Sequence, residues 1–331
     1  MSRYLITGSS GFVGRKFIDC LCRHTGNVIA GIDISEPSYA GAELLDCFRF
    51  FRVDMRDKNR LCKVVYDFKP DFIVHLASYS SVRDSWKSPE ISFQNNLNTF
   101  VNLVESVRSA GAQCRILSIG SSEEYGNIEL RDLPLKEDQS LNPASPFGIA
   151  RYSQELVARL YSDVYGLDIV MTRSFNHIGP GMNSEHAAAS FAAQLLEIKH
   201  SGRGELLVAG DTSIVRDFVD VEDVVRAYDL LLKHGRKGET YNVCSGTGIS
   251  LHNLIHIMCD HLQISVTVKE NRQLLRPKDN AVIIGSNEKI RRDTGWTAEV
   301  PFEESVRRLL DHFGSRYSGK QFEYSGLSRK Y

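Results

Sequence analysis

ITGSSGFVG, residues 6–14, joins an apolar run, RYLIT (3–7), to an amphipathic stretch, FVGRKFIDCLCRH (12–24). The first reads as a strand and the second as a helix. Gly8, Gly11 and Gly14 stand three apart between them. A side chain there would block a tight turn, the approach of a pyrophosphate and the packing of helix on strand. The helix opening at Phe12 and Val13 offers unpaired N–H groups and the positive end of its dipole to phosphate. Asp33 ends the next predicted strand, NVIAGID (27–33). A carboxylate at that point accepts both hydroxyls of an adenosine ribose and repels a 2′-phosphate, so the pattern predicts NAD rather than NADP.

Outward from this turn the same rhythm repeats. FRFFRVD (48–54), DFIVHLA (71–77), CRILSIGSS (114–122) and DIVMTRS (168–174) read as strands. Helical patterns fall at 57–68, 91–109 and 148–164. The alternation predicts an α/β fold, a Rossmann-type doubly wound parallel sheet covered by helices on both faces. Asp54 follows the third strand, where a carboxylate can reach an adenine amino group. Leu76, Ala77 and Ser78 end the fourth, at the carboxyl edge where ligands lie in such sheets. His75, just before them, reads as a packed sheet residue, with no cluster around it to suggest a metal. Past residue 174 the pattern loosens around Gly179-Pro180-Gly181 and Gly202–Gly204. The expected organisation is a mainly NAD-binding domain over 1–174, a smaller mixed α/β substrate-binding region over 175–316, interleaved with the sheet, and a polar tail at 317–331.

Whole-chain properties narrow the partners. Forty Lys and Arg face 41 Asp and Glu in 331 residues. That balance gives no basic face for nucleic acid or a membrane surface. The apolar runs are too short to span a bilayer. MSRYLITG enters a strand at once, which leaves no room for a signal peptide. Seven cysteines without a C-x-x-C pair or a Cys/His framework read as reduced thiols. A cytoplasmic protein without a metal site is expected.

Further blocks carry a family likeness: HLASYSSVRDSW (75–86), IGSSEEYG (119–126), RSFNHIGPG (173–181), RDFVDVEDVVRAY (216–228), YNVCSG (241–246) and LLRPKD (274–279). With the glycine turn they resemble the extended short-chain dehydrogenase/reductase family, in its nucleotide-sugar branch, over residues 3 to about 313. The later blocks look most like GDP-4-keto-6-deoxy-mannose reductases. GDP-mannose 4,6-dehydratases and UDP-sugar decarboxylases or epimerases are more distant. The resemblance implies hydride transfer at a sugar carbon, usually carbon 4. It implies a Tyr that moves the hydroxyl proton, a Lys one helical turn later that holds the nicotinamide ribose, and a Ser that positions the sugar oxygen. It places the Ser at Ser121 and the dehydratases' acid/base pair at Ser122 and Glu123. Asn176, Arg216 and Arg276 match diphosphate and nucleotide contacts, a task suited to the planar fork of Arg. Helices 91–109 and 148–164 would form a four-helix homodimer interface.

The likeness breaks at SPFGIARYSQE (145–155). Phe147 holds the Tyr position and Arg151 the Lys position. Phe has no exchangeable proton, and Arg stays charged at neutral pH while still able to hydrogen-bond a ribose. Ser121, Ser122, Glu123, Tyr79, His177 and Tyr152 are the remaining proton carriers. Tyr152 points roughly 100° away from Arg151 on a helix. Glu123 is the best base among them, and His177, expected in a loop, the next to watch. Several outcomes stay open: reduction or dehydration with an altered proton path, epimerisation, or a nucleotide-sugar-binding homologue without turnover. A Tyr→Phe change made to trap substrate would leave the Lys in place, and Arg151 speaks against it.

Overall fold

Apolar β-rich runs and longer amphipathic stretches alternate through the first 174 residues, and in the computed structural model they become strands and helices in that order. The structure describes residues 2–37, 47–202 and 205–317. The predicted tail lies outside the described residues apart from Tyr317, as does Gly204. In chain order the elements are β1 (Arg3–Thr7), α1 (Phe12–Cys22), β2 (Val28–Asp33), β3 (Phe48–Arg52), α2 (Lys58–Phe68), β4 (Phe72–His75), α3 (Val82–Ser85) and α4 (Pro89–Phe93). A π-helical segment, Gln94–Asn98, leads into α5 (Thr99–Ala110), β5 (Arg115–Ser121), α6 (Pro146–Val164) and β6 (Asp168–Ser174). The second half comprises β7 (Asn176–Ile178), α7 (Ala187–Ser201), β8 (Leu206–Ala209), β9 (Val215–Asp220), α8 (Val221–His234) and β10 (Thr240–Val243). It ends with β11 (Gly248–Ser250), α9 (Leu251–Leu262), β12 (Thr267–Glu270), β13 (Val282–Ile283), α10 (Glu288–Thr294) and α11 (Phe302–Tyr317).

Seven parallel strands form the main sheet in the order β10-β6-β5-β4-β1-β2-β3. The chain runs one way from β1 to β3 and the other way from β4 to β10. The order therefore reverses between β1 and β4, and a crevice opens at the carboxyl ends of those two strands. Alternate residues of β1 serve opposite faces, as the pleat requires. Tyr4 and Ile6 pack with Phe17, Ile18 and Leu21 of α1 and Val224, Tyr228 and Leu231 of α8. Leu5 packs on the other face with Leu61 and Val65 of α2, Phe100 and Val104 of α5, and Ala158 of α6. All of these are fully or almost fully buried, and each large side chain contributes about 1.5–3 kcal/mol by leaving water.

The single helix expected over 91–109 is instead interrupted by the π-helical turn. That turn carries Asn96, which is fully buried and donates to Tyr79 O and Ser92 Oγ. The interruption falls beside the crevice, where π-turns are often found. A second lobe is built on α7, α9 and α11, whose apolar faces share one cluster. Small sheets flank it: β9 pairs with β7, β11 and β13, and β8 pairs with β12. No helix among the described residues is long and apolar enough to cross a membrane.

Candidate active site

The glycine turn is forced by close backbone packing. Gly8 has φ +69°, and a Cβ there would lie 2.7 Å from Ala77 N. A Cβ on Gly14 would lie 2.3 Å from Gly8 O and 2.9 Å from Ser9 Cα. The opposing atoms are backbone and cannot swing aside. Gly11 caps α1 in an extended conformation, no side chain accepts from the helix's first turn, and that turn carries no acid. Its N–H groups therefore remain for an outside acceptor. Gly181 sits against Phe12 and Arg15, so the Gly179-Pro180-Gly181 loop borders the same helix end, which continues through Val13.

Asp33 stands at the end of β2 and is oriented by two amides, Ser10 N to Oδ2 at 3.0 Å and Ser35 N to Oδ1 at 3.1 Å. Asp54 lies on the same side but is paired with Arg56, Nη2 to Oδ2 at 2.6 Å, which holds its carboxyl below the usual range. Leu76 and Ala77 donate to Thr7 O and Thr7 Oγ1, which ties the end of β4 to the end of β1. Ser78 Oγ donates to Asn96 Oδ1 at 3.0 Å, and Tyr79 N donates to the same atom at 2.9 Å. Asp33, the glycines, Ser78 and Ser121 thus mark the carboxyl ends of β2, β1, β4 and β5, four adjacent strands. They span about 14 Å at the usual strand spacing. This row fits an extended dinucleotide, with its phosphates at α1.

Beyond β5 the chain enters a 3₁₀ turn, Ser122–Glu124, whose start is closed by a reciprocal capping box. Ser121 Oγ accepts from Glu123 N at 3.2 Å, and Glu124 Oε1 accepts from Ser121 N at 2.6 Å. Ser122 is buried, while Glu123 is partly open and meets Arg276, Nη1 to Oε1 at 3.2 Å. Arg276 also lies 3.6 Å from Asp279. Asp279 in turn pairs with the buried Arg216, whose Nη1 donates to Val215 O and Asn280 O. Burial pushes the Arg216 pKa down, against the pull of Asp279. Two cations and two carboxylates therefore converge from β9, the 276–279 segment and the Ser121 turn.

Phe147 and Arg151 occupy one face of α6, both 5% exposed. The Arg151 Cζ lies 5.3 Å from the centre of the Phe147 ring, near enough for a cation–π contact. Arg151 Nη1 donates to Ile119 O at 2.9 Å and Gln154 Oε1 at 2.8 Å, and Nη2 donates to Ser78 Oγ. Burial lowers its pKa to about 10, so it remains a cation at neutral pH. Most of its donors face the protein, a tighter use than a free ribose shelf would make of them.

Asn176 is exposed at the start of β7. His177, expected in a loop, is instead the middle residue of that strand and is paired with Val219 of β9. Burial lowers its pKa to about 4, with His186 adding to the effect, and its Nε2 has no hydrogen-bond partner. His75 is also held neutral: burial brings its pKa down to about 3, and Nδ1 meets Thr7 Oγ1 at 2.9 Å. Tyr152 is half-buried next to Arg151, beyond the pair's own face.

Several residues that shape the site went unnoticed in the sequence: Asn96, Gln154, Asp279 and Glu124. Gln154 could have been found as the i+3 partner of Arg151 on one helix. Glu124 is fully buried, and burial with neighbouring Glu155 pushes its pKa well up. Arg173 grips Glu155 instead, with bonds of 3.0 and 2.9 Å. Among the described residues no His, Cys, Asp and Glu cluster could hold a metal ion.

The family model described as GDP-mannose 4,6 dehydratase matches residues 5–309. The chain belongs to that family. It is 29% identical over 319 residues to the GDP-6-deoxy-D-mannose reductase of Pseudomonas aeruginosa, across 95% of this chain and 98% of the relative. The structure of RMD from Pseudomonas aeruginosa complexed with NADPH is similar at TM-score 0.84 and 28% identity, over 96% of this chain and 100% of that one. DesIV, the dTDP-glucose 4,6-dehydratase of Streptomyces venezuelae with NAD bound, is similar at TM-score 0.83 and 28% identity, over 96% of this chain and 98% of that one. The seven-stranded sheet is thus the Rossmann-type sheet of the extended short-chain dehydrogenase/reductases. Positions 147 and 151 of this chain carry Phe and Arg, where the resemblance implied Tyr and Lys.

Proposed function

We propose that the protein binds NAD and a nucleotide-diphosphate sugar, a GDP-hexose, and modifies the sugar at carbon 4 as a 4-keto reductase or 4,6-dehydratase. The observation that carries this reading is the convergence of Glu123 with Arg276 and Arg216 beside Ser121, on the row of strand ends that begins at Asp33. The nicotinamide cofactor supplies the hydride chemistry when bound. Gly8, Gly11 and Gly14 leave room for its phosphates, and Asp33 favours NAD over NADP by repelling a 2′-phosphate. Arg151 holds Ser78 in place and offers positive charge near the ribose, while Phe147 closes the position where a Tyr would carry the proton. Glu123 then takes that role, with Ser121 as the hydrogen-bond partner of the sugar oxygen. Arg216 and Arg276 bind the diphosphate, and Tyr79, Asn176 and His177 line its approach.

Incubation with NAD or NADH and a panel of GDP-, UDP- and dTDP-sugars tests the proposal by sugar mass and cofactor absorbance. Loss of water supports dehydration, and a gain of two mass units from a 4-keto sugar supports reduction. Binding without any mass change would favour the second reading, a nucleotide-sugar-binding homologue that does not turn over. The inward-facing Arg151 network speaks for that alternative, because its donors are spent on Ile119, Gln154 and Ser78. The active unit is proposed to be a homodimer joined through α4–α5 and α6. Ile91, Ile149, Leu156, Leu160 and Val164 are exposed on these helices, and light scattering after chromatography would measure the dimer mass.

A further inference from the structure

The contact between Arg276 and Glu123 joins two residues that the proposed reaction uses separately, one for phosphate and one for the sugar. We propose that Arg276 is a latch on Glu123 that the substrate's own diphosphate releases. The inference rests on the nucleotide-sugar reading above. Without nucleotide, the guanidinium holds the carboxylate through a single Nη1–Oε1 contact of 3.2 Å. That contact uses one of the five donors of the Arg fork, and the side chains are 30% and 20% exposed. It is a one-point, water-accessible pair of the weak kind. A diphosphate matches the fork at two points and carries more charge. An entering diphosphate therefore takes Arg276, and Glu123 turns free toward the sugar.

The neighbouring charges fit this exchange. Asp279 is the other carboxylate within reach of Arg276, and it remains held by Arg216 from buried β9 when Arg276 moves. Arg216 is itself fixed by Val215 O and Asn280 O. One arginine is thus anchored and the other is free to change partners. The base is covered until the correct end of the substrate has arrived, which limits proton transfer to molecules carrying a diphosphate. Glu123 becomes a catalytic residue only in the complex, and Arg276 acts on it as a positioning residue.

The test measures GDP binding to the full chain by titration calorimetry, with UDP and dTDP alongside. Glu123→Gln removes the competitor for Arg276 at nearly constant shape and is expected to tighten GDP by about two- to fivefold. Arg276→Gln is expected to weaken GDP. In the Glu123→Gln/Arg276→Gln double variant the gain from Glu123→Gln should vanish. A gain of equal size in the double variant would mean plain repulsion between Glu123 and phosphate, and the latch would be wrong. No gain in Glu123→Gln, with GDP still bound, would also overturn it while leaving the proposed function standing. Failure of the unmodified protein to bind any of the three nucleotides would overturn both. Thermal melts of each variant report folding, and Arg276→Met, which also removes the charge at similar length, replaces Arg276→Gln if that variant does not fold.

Discussion

The glycine turn and the Phe147–Arg151 pair lie at the same edge of one sheet and are built on opposite principles. The turn is made of backbone: Gly8 packs on Ala77, Gly14 packs on Gly8 and Ser9, and the first N–H groups of α1 have no internal side-chain acceptor. It is rigid toward the protein and open toward a ligand. The α6 pair is made of side chains: Arg151 reaches Ile119, Gln154 and Ser78 and lies near the Phe147 ring. It is open toward the protein and mostly closed toward a ligand. The contrast is between a backbone surface left open and a pair of side chains turned inward on the same sheet edge.

The strongest challenge to this contrast is a side chain in the turn. Gly8→Val must take a left-handed backbone and overlap Ala77, and the combined cost is about 2–5 kcal/mol. Loss of NADH binding by fluorescence, with a lower melting temperature, is the expected result. Near-normal binding would show that the turn is not the cradle. A smaller effect of a different kind is expected at Arg151→Ala. Its loss leaves buried partners unpaired and costs about 1–3 kcal/mol in urea unfolding, with a much smaller change in NADH affinity than at Gly8. An affinity loss that outweighs the stability loss would move Arg151 from the protein's side of the comparison to the ligand's.

His177 sharpens the side-chain half through pH. Its pKa is about 4 in the folded protein, lowered first by burial, against an ordinary value of 6.5. The unfolded chain therefore binds the extra proton first as pH falls through 6.5, and the stability His177 contributes is lost toward pH 4. Relative to His177→Asn, the unmodified protein is expected to lose about 1–2 kcal/mol between pH 7 and pH 5. A constant difference over that range would mean that His177 is open to water in solution. The smallest effect belongs to the turn's rim. Asp33→Asn keeps an acceptor for the Ser10 and Ser35 amides and removes one charge. The preference for NAD over NADP should fall by about 1 kcal/mol, near fivefold, in paired binding titrations. An unchanged preference would take Asp33 out of cofactor discrimination.

How much of this could be read beforehand depends on the range of each interaction. The strands at 3–7 and 168–174 appear with the bounds their sequence suggested, because alternation and β-branched residues are local signals. The glycine turn was equally plain, since its glycines answer to neighbours only a few residues away and to the strand beside it. The helix over 91–109 was legible as helix but not as a helix with a π-turn, because Asn96 is drawn inward by Ser78 and Tyr79, eighteen and seventeen residues earlier. His177 looked like a loop residue because its strand partner, Val219, lies far along the chain. Glu123 was noticed as an acid, but its cation stands 153 residues away.

The sequence by itself determined the α/β alternation, the phosphate-type turn with its acid at Asp33, and the absence of a Tyr and Lys from 147 and 151. These follow from residue types and short spacings. Only the tertiary structure decided what the remaining charges do. Arg151 turns into the protein, Glu124 is buried beside the Arg173–Glu155 pair with its pKa pushed up by burial, and Glu123 is held by Arg276. The physical reason is that the strength and state of a charged group depend on burial and on partners within a few ångströms, and here most of those partners come from distant parts of the chain.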